Sequence, residues 1–167
     1  MNRQLKPQKR IALVAHDAKK SELINWCQHK RALLSSHELF ATGTTAARLS
    51  AALDLPVQAY LSGPMGGDQQ IGAKIAEGDL DLLVFFWDPM SQMPHDPDIK
   101  ALLRIAAVWN IPVACNSASA DFMFSSSLID TEYEYPVPDY QTYLADRTTP
   151  STQDPKDTQI AARNRCR

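Results

Sequence analysis

Residues 10–147 of this chain predict a three-layer α/β/α single domain on a doubly wound, mainly parallel five-stranded sheet. Two observations carry this expectation. Short runs that are apolar at every position recur along the chain, as strands buried on both faces require. Between them lie segments whose apolar residues fall at helical spacing, and such alternation favours parallel strands joined by crossover helices.

Ile11–Ala15 (IALVA) is the first predicted strand. A helix follows, with Leu23, Trp26 and Cys27 at i, i+3 and i+4. Glu38–Ala41 is the second strand, and Thr44–Leu53 is a helix presenting Ala46, Leu49 and Leu53 on one face. Val57–Leu61 is the third strand. The segment Ser62–Asp68 (SGPMGGD) is a loop by composition. A helix over Gln69–Glu77 is stopped by Gly78. Leu82–Trp87 (LLVFFW) is the strongest strand signal. The next helix spans Asp98–Asn110, with Ile99, Leu102, Leu103 and Ala106 inward and Asp98 as a candidate N-cap. Pro112–Cys115 is the fifth strand, a helix begins near Ala118, and a short helix over Asp139–Arg147 closes the domain. Residues 1–9 form a basic extension. Residues 148–167 have one large apolar side chain, Ile160, too little to offset their ordering entropy, and are expected to be disordered.

Of 167 residues, 44% are hydrophobic and 22% charged, which suits one globular domain. The net charge of −2 argues against nucleic-acid binding through bulk positive charge. The longest apolar run has six residues, Leu82–Trp87, whereas a membrane span needs ~20. Ile11–Ala15 is too short for a signal-peptide core. Three cysteines, Cys27, Cys115 and Cys166, lie far apart without a CxxC pair; this suits a reducing cytoplasm and disfavours a disulfide scaffold or zinc site. The charge is uneven. Arg3, Lys6, Lys9 and Arg10 put +4 on residues 1–10, residues 148–167 carry +2, and residues 11–147 are left with −8. An anionic ligand must therefore be held by local groups against the general field.

In a parallel α/β sheet, ligands bind beyond the carboxyl ends of the strands. The polar residues expected there are His16 and Asp17, then Thr42-Gly43-Thr44-Thr45, then Ser62 and Gly63 with Asp68 close behind, then Asp88 and His95-Asp96-Pro97-Asp98, and finally Asn116 and Ser117. TGTT between a strand and a helix suits a phosphate, through helix N-terminal N–H groups and hydroxyls. By itself a threonine cap with a glycine turn explains it better. It is neither a Walker loop nor a GxGxxG fingerprint, so ATP and NAD are poorly supported. SGPMGGD holds three of the six glycines, which let backbone approach a ligand, and Asp68 suits helix capping and proton transfer about equally. Lys20 lies one helical turn after His16 and can share its rim. His29 and His37 lack such a setting and are expected on the surface. No serine–histidine–acid set and no HxH or HExxH spacing is present.

VAHD (14–17), ATGTT (41–45), LSGPMGGDQQ (61–70), FFWDP (85–89), PHDPD (94–98), VWNIPVA (108–114) and PDY (138–140) together resemble the methylglyoxal synthase family. The resemblance runs from about Ile11 to Arg147 and departs from the family at Phe124–Tyr135 and in the tail. It implies a cytoplasmic lyase that converts dihydroxyacetone phosphate to methylglyoxal and inorganic phosphate, with no metal or organic cofactor. It further implies a homohexamer inhibited allosterically by phosphate. Asp68, His95 and Asp98 match the family's catalytic positions. His16, Lys20, Thr42, Gly43, Thr44, Thr45, Ser62 and Gly63 match its substrate- and phosphate-binding positions, Asp17 and Asp88 its acidic positions at the site, and Arg147 an arginine at a phosphate site between subunits. Asp98 is left as a helix cap, an orienting group for His95 or a proton-sharing partner of Asp68. The competing classes are an effector-sensing module of the same architecture, as in carbamoyl phosphate synthetase, and a phosphate-sugar isomerase.

Overall fold

The computed structural model describes residues 1–91 and 96–148. They fall into two compact units, Met1–Val137 and a segment beginning at Pro138. The first unit contains β1 (Asn2–Leu5), β2 (Arg10–Ala15), α1 (Lys20–His29), α2 (Arg31–Leu34), β3 (Glu38–Thr42), α3 (Gly43–Leu53) and β4 (Val57–Tyr60). It continues through α4 (Gly67–Glu77), β5 (Leu82–Phe86), α5 (Asp96–Val108), β6 (Val113–Ala114), α6 (Ser117–Ser125) and β7 (Tyr133–Pro136). The described part of the second unit, residues 138–148, contains α7 (Tyr140–Thr148), where the Arg147 guanidinium lies 4.7 Å from the Tyr143 ring centre.

Five parallel strands form the main sheet in the order β4-β3-β2-β5-β6. Ile11 sits opposite both Leu39 and Leu82, so β2 is central. The chain builds outward from β2 to β4 and then crosses to β5 on the other side. This reversal opens a crevice at the carboxyl ends of β2 and β5.

Side chains on each strand alternate between two cores. Ile11, Leu13 and Ala15 of β2, with Leu82, Val84 and Phe86 of β5, pack against Leu23 and Trp26 of α1, Leu49 of α3 and Phe124 of α6. Ala12, Val14, Leu83 and Phe85 face Ile71 and Ile75 of α4 and Ile99, Leu102 and Ala106 of α5. These strands are thus apolar at every position because both faces are covered. Trp26 packs edge-to-face on Phe124 with centroids 5.0 Å apart, and its indole N–H donates to Asp121 Oδ1 at 3.1 Å.

Helix ends depart from the sequence expectation by one to two residues for identifiable reasons. Asn110 turns left-handed (φ 55°) and the Ile111 N–H returns to the Ala106 carbonyl at 3.1 Å, which ends α5 before Asn110. At its other end α5 includes Asp96, so Asp98 lies in the first turn and is not the N-cap. Gly78, at φ 84°, stops α4 where expected. Cys27 and Cys115 are free thiols, and Cys166 lies outside the described residues, as does the rest of the tail from residue 149.

A second, antiparallel pair joins β1 to β7, with Asn2 opposite Pro136 and Leu5 opposite Tyr133. Leu5, Tyr135 and Val137 form its small core, on which Trp109 packs. Residues 2–5 are therefore a strand within what the sequence marked only as a basic extension. Its four residues bury one side chain, and its partner lies more than 120 residues away, so no local periodicity announces it.

His37 is buried, contrary to its expected surface position. The backbone N–H of Lys9 donates to His37 Nδ1 at 3.2 Å, and Asp130 Oδ1 lies 3.5 Å from Nε2. Protonating Nδ1 would break the first of these contacts. Burial outweighs the Asp130 charge and, helped by Lys9, holds the His37 pKa below its ordinary 6.5. Just below 6.5 the unfolded chain binds more protons than the folded one. The stabilisation is thus complete above 6.5 and is lost as pH falls through the lowered folded value. Melting temperature should fall as pH is lowered from 7.5 to about 5. In His37→Asn, which keeps an acceptor but does not titrate, that dependence should be visibly flatter.

Candidate active site

A cavity of about 370 Å³ opens at the carboxyl ends of β2, β3 and β5. Its walls are Val14, Ala15, His16, Asp17, Lys20, Thr42, Thr44, Ser62, Gly63, Pro64, Asp68 and Phe85. The helices α1, α3 and α4 begin beside it, through Lys20, Thr42–Thr44 and Asp68. Helix N-termini present unsatisfied N–H groups and partial positive charge, a setting that attracts an anion.

The cradle depends on close backbone packing. Gly43 has a positive φ of 27°, and a Cβ there would come within 3.0 Å of Ser62 Cα. A Cβ on Gly63 would lie 3.0 Å from Asp68 Oδ2. Gly67 is tighter still, since its Cβ would overlap the Leu61 carbonyl oxygen. The turn is closed by the Met65 and Gly67 N–H groups, which donate to the Ser62 carbonyl at 2.9 and 3.0 Å. Glycine at these positions brings the SGPMGGD loop down onto the start of α3 and directs Asp68 inward.

Asp68 is only 4% exposed and sits in the first turn of α4, after Gly66 at the N-cap. It does not cap the helix, because the N-cap is a glycine. A carboxylate buried in a cavity wall, at a helix N-terminus that favours its charge, is suited to proton transfer.

Among the described wall residues, Lys20 contributes an ammonium group. Its ammonium donates to Thr44 Oγ1 at 2.7 Å and to Asp17 Oδ1. Its side chain is 14% exposed while that of Asp17 is 83% exposed, so Asp17 holds the lysine from the solvent side. His16 lies at the end of β2, its ring edge-on to Phe85 with centroids 5.5 Å apart. Its Nδ1 accepts the Asp88 backbone N–H at 3.1 Å.

An MGS-like domain model matches residues 22–115. The methylglyoxal synthase of Saccharophagus degradans is 63% identical over 145 residues, 86% of this chain and 94% of that protein. The methylglyoxal synthase of Vibrio campbellii is 59% identical over 140 residues, covering 84% and 93% of the two chains. The chain belongs to the methylglyoxal synthase family. A solved methylglyoxal synthase, from Elizabethkingia anophelis, superposes with a TM-score of 0.83 at 48% identity, covering 91% of this chain and 99% of that one.

Most of the positions expected from the methylglyoxal synthase resemblance meet at this cavity: His16, Lys20, Thr42, Thr44, Ser62, Gly63 and Asp68 line it. Gly43 and Thr45 share the first turn of α3 but are not in the wall. Thr45 is fully buried, and its hydroxyl has no hydrogen-bond partner among the described residues. Asp98 is half-buried in the first turn of α5. Arg147 is exposed on α7, in the second unit. His95 lies outside the described residues. Phe85 and Pro64 are wall residues that sequence reasoning did not single out. Phe85 is an apolar residue in an apolar strand and carries no local mark of a site. Among the described residues, no three His, Cys, Asp or Glu side chains gather as a metal set, and no helix is long and apolar enough to cross a membrane.

Proposed function

We propose that this chain converts dihydroxyacetone phosphate to methylglyoxal and inorganic phosphate. The observation that carries this reading is the buried Asp68 carboxylate, set in one wall of a cavity whose other walls are the start of α3 and Lys20. That pairing supports the reading, since a small phosphate ester held at the start of α3 would have its carbon skeleton near the Asp68 carboxylate. The membership of the methylglyoxal synthase family supports it.

In this reaction Asp68 takes a proton from the hydroxymethyl carbon, next to the carbonyl. His95 donates to the carbonyl oxygen as an enediolate forms, a division of labour like that between carboxylate and neutral histidine in triosephosphate isomerase. The enediolate electrons then expel phosphate by breaking the bond between carbon and the phosphate ester oxygen. The resulting enol takes up a proton at its terminal carbon and becomes methylglyoxal.

Elimination requires that carbon–oxygen bond to stand perpendicular to the enediolate plane. Backbone N–H groups of Gly43, Thr44 and Thr45, the hydroxyls of Thr42, Thr44 and Ser62, and the Gly63 backbone hold the phosphate at that torsion, and Lys20 stabilises its leaving charge. Asp98, in the first turn of α5, serves either to orient His95 or to share a proton with Asp68. Neither metal nor organic cofactor takes part. The working form is a cytoplasmic homohexamer in which Arg147 contributes to a phosphate site between subunits, and phosphate acts there as allosteric inhibitor.

The test is incubation with dihydroxyacetone phosphate while methylglyoxal, glyceraldehyde 3-phosphate and phosphate are followed together. Methylglyoxal and phosphate should appear in equal amounts. Glyceraldehyde 3-phosphate alone would make the protein an isomerase, and binding without product would make it a sensor.

A further inference from the structure

We propose that Asp88 is a positioning residue that holds His16 in one tautomer, with its proton on Nε2. The proposal rests on the reading above that the cavity binds the substrate.

The argument starts from the parallel ladder between β2 and β5. Ala15 stands opposite Phe86, and the ladder continues one bond further, with the His16 N–H donating to the Phe86 carbonyl at 3.1 Å. The next rung of a parallel ladder would run from the Asp88 N–H to the His16 carbonyl. That carbonyl is already taken by the Lys19 N–H at 2.8 Å, because the chain turns into a 3-10 turn over Asp17–Lys19. The His16 side chain supplies the missing acceptor instead, and the Asp88 N–H donates to its Nδ1.

A backbone N–H can only donate. Nδ1 must therefore carry a lone pair, and a neutral ring has its proton on Nε2. The aim of the Asp88 N–H is set by its own side chain. Asp88 Oδ1 accepts the Met90 N–H at 3.0 Å, closing an Asx turn over the residues that follow β5. Asp88 thus acts through its turn and its backbone, and His16, a cavity-wall residue 6% exposed, presents Nε2–H as a donor.

Asp88→Ala and Asp88→Asn separate this role from that of a negative charge. Asparagine keeps the Oδ1 acceptor and the turn, whereas alanine loses both. Nitrogen-15 imidazole shifts recorded at about pH 8 should show His16 with unprotonated Nδ1 and protonated Nε2 in the wild type and in Asp88→Asn. In Asp88→Ala the two nitrogens should move toward averaged values. In parallel, kcat/KM for dihydroxyacetone phosphate should fall roughly tenfold in Asp88→Ala and only about threefold in Asp88→Asn. An unaltered His16 tautomer in Asp88→Ala would overturn the proposal, as would an Asp88→Asn variant indistinguishable from the alanine one. If the wild type makes no methylglyoxal, the reaction assignment fails, while the tautomer measurement still decides the role of Asp88.

Discussion

Asp68→Asn should lower methylglyoxal production by about 10³-fold while leaving phosphate binding intact or improved. The amide has the size of the carboxylate and keeps an acceptor oxygen beside Gly63, so the cradle is preserved. It cannot take a proton from carbon. Inorganic phosphate is the suitable binding probe, since its affinity reports the cradle alone. Removing a buried negative charge from the cavity wall removes a repulsion with the phosphate dianion, which sets the direction of the change in affinity. Calorimetric titration with phosphate and a turnover assay on the same preparation separate the two effects. Appreciable turnover by the variant would remove Asp68 from the role of base. A parallel loss of phosphate binding would mean that the side chain supports the cradle.

Gly67→Ala should destabilise the fold by about 3 kcal/mol or more, because the new methyl overlaps the Leu61 carbonyl, a backbone atom that cannot rotate away. The melting temperature should drop by roughly 10 °C, and the loop carrying Ser62 and Gly63 should lose its place against α3. Gly72→Ala is the control. It lies within the same helix, and its Cβ would meet the flexible ends of two side chains, Ile105 at 3.3 Å and Leu102 at 4.0 Å, so the cost should be small and offset by the better helix propensity of alanine. Equal melting temperatures for the two variants would contradict the packing that sets the loop.

The two glycines lie five residues apart in one helix, yet the sequence distinguishes them poorly. Both look like small residues near a polar loop. What separates them is the Leu61 carbonyl, brought against Gly67 by the turn on Ser62. The His16–Asp88 bond has the same character: it joins residues 72 apart, through a ladder whose register is decided by the whole sheet. His37 shows the converse error. Its neighbours Ser35, Ser36 and Glu38 are polar, so its surroundings in the chain suggest exposure, while Lys9 and Asp130 enclose it from distant segments.

The apolar runs Ile11–Ala15 and Leu82–Phe86 and the helical spacing between strands determine the parallel α/β architecture. The reason is local: a strand buried on both faces has no other way to satisfy its composition. The same rule brings the strand-end residues His16, Thr42 and Ser62 toward one rim, because parallel strands end on the same side. Tertiary structure alone decided which of those residues face the cavity, that Asp68 lies inside the helix rather than capping it, and that residues 2–5 are a strand. Those outcomes depend on packing between segments distant in the chain, where a carbonyl or a methyl of space sets the answer. The acidic excess of −8 over residues 11–147 is compatible with the proposed phosphate site for the same reason. Net charge is a sum over the sequence, but an anion would respond to the nearby N–H groups at the start of α3 and to the Lys20 ammonium.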